Sequence, residues 1–588
     1  MAFQLSPGVN VSEVDLTTTV PAVSTSIGAI AGHFQWGPVD EIRTIGSETE
    51  LVNTFGKPVS DSRMFEDFFS AANFLGYSNN LKVVRVAEFD GAYNSVVNGG
   101  GYAYVKNKEQ FEMDNYIYSN PGYGIAKYPG SIGDSLKIYI VDNGNYSANL
   151  NGSDTNEALA RRFNGAPNTS DFATAKGFVD AYDELHVLIV DEVGKFTGTP
   201  GATLEKFEFL SKFSDATKEG VNNYWVDVIN KSSQYLWIVD NPGTSGSGTI
   251  SWGTESIYFN SGNAFDQFAA YEFGDGSGDD DNAVKLTGGA DDYYSTVVAN
   301  NSGYNLFAQP EVAVDLVICG RARYSKVKAI SDIVSARKDC MMFISPTRWQ
   351  VVNNTGSEEN DILNYYQGSY LNLNSSYAVG DNNWKYQYDK YNDTYRWIPC
   401  NADVAGLCAR TDQTNDPWFS PAGYNRGILR NVLKLGWNAT KANRDNLYVA
   451  GINSIITQPG LGTVLFGDKT LTAKPSAFDR INVRRLFIVL EKAISTAAKF
   501  SLFELNDQFT RAQFVGLVEP YLRDVKGRRG IYDFKVVCDE SNNTPQVIDS
   551  NSFVGDIYIK PARSINFIQL NFVAVKTGVE FSEVVGQF

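Results

Sequence analysis

Ser26-Ile-Gly-Ala-Ile-Ala-Gly32, Phe65-Glu-Asp-Phe-Phe-Ser-Ala-Ala-Asn-Phe-Leu75 and Leu81-Lys-Val-Val-Arg-Val86 follow one another closely and differ in period. The first is an apolar run relieved only by small residues, as in a buried strand, and Gly37-Pro38 marks a turn after it. The second places Phe65, Phe68, Phe69, Ala72 and Leu75 along one helical face. The third is again a strand. Strand, helix and strand in one segment predict an α/β core.

Working outward, the same pattern returns at Asp315–Cys319 (strand), Val327–Lys338 (helix) and Cys340–Ile344 (strand). Between about Phe89 and Gly289 the texture is different. Short β-type runs at Ser135–Val141, Leu185–Val190 and Leu236–Val239 are separated by Gly, Asn, Ser and Asp, which predicts a β-rich insertion with long loops. A core split by an insertion is the simplest arrangement. After a Tyr- and Asn-rich stretch (Asn364–Tyr395) comes a second α plus β unit. Val483, Leu486, Phe487, Leu490, Ile494 and Ala497 predict a helix over Val483–Phe500 with Asn482 as its cap. Strands are expected at Tyr532–Cys538, Gly555–Lys560 and Ile565–Val575.

Both ends lack the content for a core of their own. Residues 1–24 alternate, with Val9, Val11, Val14 and Leu16 as the apolar positions, and the last dozen carry Val579, Phe581, Val584 and Val585. The expected organisation is an extended arm at 1–24, a split α/β core at 25–89 and 286–385, and a β-rich insertion at 90–285. A C-terminal α+β domain at 386–576 and a second extended arm at 577–588 complete it.

A length of 588 residues predicts about four domains or one elaborated core. Fifty basic against 67 acidic side chains leave a net charge of −17, a poor match for nucleic-acid phosphates. Apolar residues at 43% exclude wholesale disorder, and no apolar run approaches a bilayer-spanning length. The absence of any basic residue before Arg43 argues against a secretory signal. Five widely spaced cysteines fit buried thiols made in a reducing compartment. The charge is uneven: residues 386–588 hold 24 Lys and Arg against 20 Asp and Glu, so the first 385 hold 26 against 47.

Enzyme-like signals are weak. Gly462-Thr-Val-Leu-Phe-Gly-Asp-Lys469 has Asp468 where a phosphate-loop lysine belongs, and Gly243-Thr-Ser-Gly fails the nucleophile-elbow pattern. The acidic run Asp275–Asp281 lacks calcium-loop spacing, and Cys400 and Cys408 lack a partner pair for zinc. His33 and His186, the two histidines, sit beside or within apolar strands and are expected to be packing or edge residues. The expectation is therefore no catalytic residue, no metal and no cofactor. The densest basic spots are Arg484-Arg485 and Lys526-Gly-Arg-Arg-Gly530, from which Arg484, Arg485, Lys526, Arg528 and Arg529 are candidates for an acidic partner.

Two long stretches carry more information. One runs from Leu5-Ser-Pro-Gly-Val-Asn-Val-Ser-Glu-Val14 through Gly32-His-Phe-Gln-Trp-Gly-Pro38 and Leu51-Val-Asn-Thr-Phe-Gly56 to Val83-Val-Arg-Val86. The other includes Lys385-Tyr-Gln-Tyr-Asp-Lys-Tyr-Asn392, Ala405-Gly-Leu-Cys-Ala-Arg-Thr-Asp412, Phe478-Asp-Arg-Ile-Asn-Val-Arg-Arg485 and Pro561-Ala-Arg-Ser-Ile-Asn-Phe567. Together they resemble the tail sheath proteins of contractile-tailed bacteriophages, most closely those of T-even-type myophages, over 5–90 and 286–588. The large outer insertion of the T-even sheath is reduced here to about Asp90–Ile125.

The resemblance implies a subtilisin-like but non-proteolytic split core, hexameric rings stacked around a tail tube, and contraction that drives the tube through the host envelope for genome delivery. It implies self-association, contacts with the tail tube, baseplate and tail terminator proteins, and no nucleic-acid or membrane-inserted partner. The protein would assemble in the host bacterial cytoplasm and reside in the virion. The arms, through Val9 to Leu16 and Val579 to Val585, would add strands to neighbouring subunits, and the basic candidates would face the tube. A sheath of a phage-derived bacteriocin or secretion machine shares the same physics, and a subtilisin-like hydrolase is the alternative of another class.

Overall fold

The computed structural model describes residues 24–566 and 569, apart from 61–62, 144–145, 147–161, 242–248, 261–263, 266–282, 294–301 and 369–370. These residues fall into two compact units, one formed by Ser24–Asn415 and Pro421–Ile481, the other by Asp416–Ser420 and the chain from Asn482.

The larger unit is built on a seven-stranded sheet. Its strands are β1 (Gly28–Gly32), β2 (Ile42–Ile45), β3 (Leu81–Arg85), β4 (Leu316–Ile318), β5 (Met341–Ile344), β6 (Ala378–Asp381) and β7 (Ile452–Asn453), in the order β2-β3-β1-β4-β5-β6-β7. Every neighbouring pair is parallel except β2 with β3. The sheet thus draws strands from both sides of a long intervening segment.

Helices cover both faces, as parallel strands require. On one side Ala29, Ala31, Val84, Val317, Met342 and Ile344 pack with Val327, Ile330 and Val334 of α2 (Tyr324–Arg337) and Ile362, Tyr365 and Tyr366 of α3 (Glu358–Gln367). On the other lie α1 (Met64–Leu75) and α4 (Asn401–Thr414). The glycines of β1 allow α1 to approach. A Cβ at Gly28 would sit 2.5 Å from Phe74 Cε1, and one at Gly32 would sit 2.8 Å from Asp67 Cβ. The predicted strand–helix–strand unit and its return after residue 315 correspond to β1, α1, β3, β4, α2 and β5.

The intervening segment carries an antiparallel sheet of Ala283–Lys285, Leu136–Asp142, Glu184–Asp191 and Ala202–Ser211, in that order. Its core includes Ile138, Ile140, Val187, Ile189, Phe213 and Trp225. Arg85, buried at the end of β3, donates to the carbonyls of Phe34 (2.9 Å), Gly37 (2.8 Å) and Pro129 (2.6 Å), joining this segment to the core.

The smaller unit packs α5 (Ile481–Ala498) and α6 (Gln508–Gly527) against a hairpin of β8 (Ile531–Val537) and β9 (Asp556–Pro561). Leu486, Leu490, Ile494, Phe514, Val518, Leu522 and Ile531 form its centre. Asp507 caps α6 by accepting from Thr510 N at 2.7 Å.

Three expectations are corrected. The boundary placed at 385/386 falls inside the strand Trp384–Asp389, and the core continues through α4 and β7, so the division comes near 481. Lys385, at the expected boundary, is buried in an ion pair. Asn482 is not a cap: it lies in the first turn of α5, and its amide donates to the carbonyls of Trp418 and Ala562. The expected basic C-terminal domain also dissolves. Residues 386–481 hold 11 basic against 8 acidic side chains and 482–588 hold 13 against 12, so most of the excess belongs to the larger unit. The strand expected at Ile565–Val575 lies outside the described residues except for 565, 566 and 569, which are not in a strand.

Candidate interaction surfaces

Both arms, with Val9, Val11, Val14, Leu16, Val579, Phe581, Val584 and Val585, lie outside the described residues, as do Gly243-Thr-Ser-Gly and the acidic run from Asp275. The five basic candidates separate into two groups. Arg484 and Arg485 are 6% and 4% exposed in the first turn of α5, which withdraws them as surface contacts. Apolar residues surround that turn on every side in Ile481-Asn-Val-Arg-Arg-Leu-Phe-Ile-Val-Leu490, the pattern of an enclosed helix.

Lys526, Arg528 and Arg529 occupy the exposed turn from α6 into β8. Lys526 Nζ lies 2.9 Å from Asp533 Oδ1. Arg528 pairs with Asp416, lies 3.6 Å from Asp524 Oδ2, and stacks over Trp418, whose Nε1 donates to the Arg528 carbonyl at 3.1 Å. Arg529 is exposed at φ +67° and makes no ion pair among the described residues. Of the candidates, it alone presents an unengaged charge.

Two apolar features of the smaller unit were not anticipated in detail. Among the described residues β8 and β9 pair only with each other, so each has an open edge. Between α5 and α6 Phe500, Leu502, Phe503 and Leu505 are all well exposed, as is Phe509 in the first turn of α6. Phe503 adopts φ +71°, a strained backbone for a bulky residue. Asn506 holds the loop by donating to Asn543 Oδ1 and the Ser552 carbonyl. The sequence signal was the apolar content of Phe500-Ser-Leu-Phe-Glu-Leu505, which follows the end of the helical period.

At the carboxyl ends of the parallel strands lies a buried polar network. Asp67 Oδ2 is 3.6 Å from His33 Nδ1, and Asp67 Oδ1 is 3.8 Å from Lys326 Nζ. Burial opposes ionisation of Asp67, but Lys326 and His33 prevail and hold its carboxyl well below the usual range. Ser345 donates to Asp381 at 2.7 Å, and Tyr77 and Lys385 both donate to Asp403. His186 accepts from Phe209 N through Nδ1 and contacts the Gly165 carbonyl through Nε2. Both histidines are buried and held by polar contacts, and among the described residues no group of three His, Cys, Asp or Glu side chains is placed to hold a metal ion. No helix among them is long and apolar enough to cross a membrane.

Burial pushes Glu66 up to about 7 and Asp381 up to about 8. The native state therefore keeps protons that the unfolded chain has released, and stability falls as pH rises from about 4 to 8. Thermal melting across that range should show the decline, and Asp381→Asn should flatten its upper part. A melting temperature that rises over this window would contradict the assignment.

The larger unit is thus an α/β core split by a β-rich segment, and the smaller one packs helices on a hairpin. Comparison with known proteins gives the family. The profile of the phage tail sheath protein central domain matches residues 306–471, that of the phage tail sheath C-terminal domain matches 473–574, and that of the tail sheath protein Gp18 domain III N-terminal region matches 25–86. The tail sheath protein of Vibrio phage KVP40 is 35% identical over 685 aligned residues, covering 99% of this chain and all of that protein. The tail sheath protein of Enterobacteria phage T4 is 35% identical over 677, covering 99% of each. A sheath tail protein from Listeria innocua shares the fold at 10% identity, with a TM-score of 0.50 over 92% of this chain and 96% of its own.

The chain belongs to the phage tail sheath protein family, a structural virion component of contractile-tailed phages. The alignments run over more positions than the 588 residues present here, so these relatives carry sequence that this chain lacks.

Proposed function

We propose that the chain polymerises as stacked hexameric rings around a tail tube and contracts to drive the tube through the host envelope. The observation that carries this reading is end-to-end identity of 35% to tail sheath proteins. Open strand edges on β8 and β9 and the apolar loop at Phe500–Phe509 support it, since exposed apolar patches on a subunit usually mark contacts. The split core is of the subtilisin-like α/β type without proteolytic chemistry. The arms supply strands to neighbouring sheets, and Arg529 is the basic candidate best placed for the tube. Baseplate and terminator proteins complete the ends of the polymer, which assembles in the host cytoplasm.

Purified full-length chain is expected to form rings or striated tubes in negative-stain micrographs. A chain that remains monomeric at high concentration across several salt conditions would count against this function.

A further inference from the structure

We propose that Arg63, Arg321, Arg323 and Arg348 form an anion site at the carboxyl edge of the central sheet, occupied by carboxylates of a second copy of this chain. The occupant rests on the polymer reading above; the site itself does not.

Strand order reverses between β1 and β4: the chain moves from β1 outward to β3 in one direction and from β4 to β5, β6 and β7 in the other. In open α/β sheets, ligands sit outside the carboxyl ends of the strands at such a point. Arg321 follows β4, Arg63 and Arg323 stand at the N-caps of α1 and α2, and Arg348 opens a short helix after β5. Helices α1 and α2, of 12 and 14 residues, thus present their amino ends here. Cations at helix amino ends oppose the helix dipole, which favours anions there. Three of the four stand at such ends and break a local rule, as happens where function demands it.

The chain offers them little compensation. Among the described residues none of the four makes an ion pair within 4 Å, and Arg63 and Arg323 are exposed. Asp67 is committed to His33 and Lys326, and it also accepts from the backbone N–H groups of His33 and Arg321. Glu66 remains. It is 1% exposed, and neither carboxyl oxygen has a hydrogen-bond partner. Arg321, Arg63 and Arg348 act on it electrostatically, as does Asp67, while Arg323 senses Glu66, Asp67, Arg321 and Arg63. Burial nevertheless leaves Glu66 largely protonated below about 7.

The form of the site points to its occupant. Asp67 fills the space beside Gly32 and Gly320, where a Cβ would lie 2.8 Å from Asp67 Cβ and 2.9 Å from Asp67 Oδ1 respectively. What remains is a rim of guanidinium groups over a filled floor, suited to carboxylates on a surface. Guanidinium forks pair with carboxylates in bidentate fashion. A second copy supplies them in excess, because the first 385 residues hold 47 acidic against 26 basic side chains.

The test uses the full chain and the double variant Arg321→Glu/Arg323→Glu. Titration calorimetry with inorganic phosphate should show binding that weakens at least tenfold in the variant, with an unchanged far-UV spectrum. Affinity for sulfate, whose charge stays fixed in this range, should also fall as pH rises through about 7, and Glu66→Gln should keep binding while removing that dependence. The concentration needed for polymerisation should rise at least tenfold in the variant. A photo-cross-linker at position 323 should join an Asp- or Glu-bearing peptide of another copy. Equal phosphate binding by wild type and variant overturns the site. Variant-sensitive phosphate binding with unaltered polymerisation, or cross-links only within one chain, overturns the second copy as occupant. Failure of wild type to polymerise while phosphate binding follows the expected pattern overturns the polymer reading and leaves the anion site standing.

Discussion

Replacing Asp403 with alanine is expected to cost the larger unit about 3–5 kcal/mol, the usual penalty for stranding one member of a buried ion pair. Lys385 Nζ lies 2.8 Å from Asp403 Oδ1, and both side chains are 0% exposed. Tyr77 donates to the same oxygen at 3.0 Å, and Lys385 also donates to the Arg430 carbonyl at 3.0 Å. The pair therefore links the turn after α1, the strand Trp384–Asp389, α4 and the loop at Arg430. Alanine would leave an ammonium in a dry interior with only a carbonyl for company. The double variant Lys385→Met/Asp403→Leu should recover most of the loss, because it removes both charges while filling the space. Urea denaturation of the three proteins measures both effects. A loss below about 1 kcal/mol for Asp403→Ala would mean that water reaches the pair.

The same pair explains what the sequence could and could not disclose. Periodicity located β1, α1, β3, β4, α2 and β5 because each presents a continuous apolar face to one core. It also located α5, α6's neighbouring strands and the β-rich middle. A charge count, by contrast, treats every lysine as solvated. Lys385 counts among ordinary charges at the end of the expected core, yet it is one of the most deeply buried charges among the described residues, paired with a residue 18 positions onward. Arg484 and Arg485 failed as surface candidates for a related reason: helical period assigns a face, but enclosure of a whole turn depends on elements distant in sequence. The rim at the carboxyl edge was invisible for the opposite reason. Arg63, the Arg321–Arg323 pair and Arg348 lie far apart along the chain, and only the parallel topology gathers them.

Deleting residues 1–20 or 577–588 is expected to abolish polymerisation while leaving the melting temperature of the subunit nearly unchanged. Neither arm has enough apolar side chains to belong to a core, but each supplies backbone donors and acceptors for a strand edge. An added strand of about five residues would form some five hydrogen bonds at roughly 0.5–1.5 kcal/mol net each. Multiplied over a polymer, contacts of that size hold subunits together while the linkers between strand and core bend. The open edges of β8 and β9 are natural acceptors among the described residues. Arg529→Glu should behave differently, sparing self-assembly and weakening attachment to the tube, since a single exposed charge contributes about 0–1 kcal/mol per subunit. Sedimentation reads the polymer and thermal unfolding reads the fold. A sharp fall in melting temperature on arm deletion would assign the arms to their own subunit, and polymers that survive loss of both arms would require another contact to hold the sheath, for which the apolar loop at Phe500–Phe509 is the first place to look.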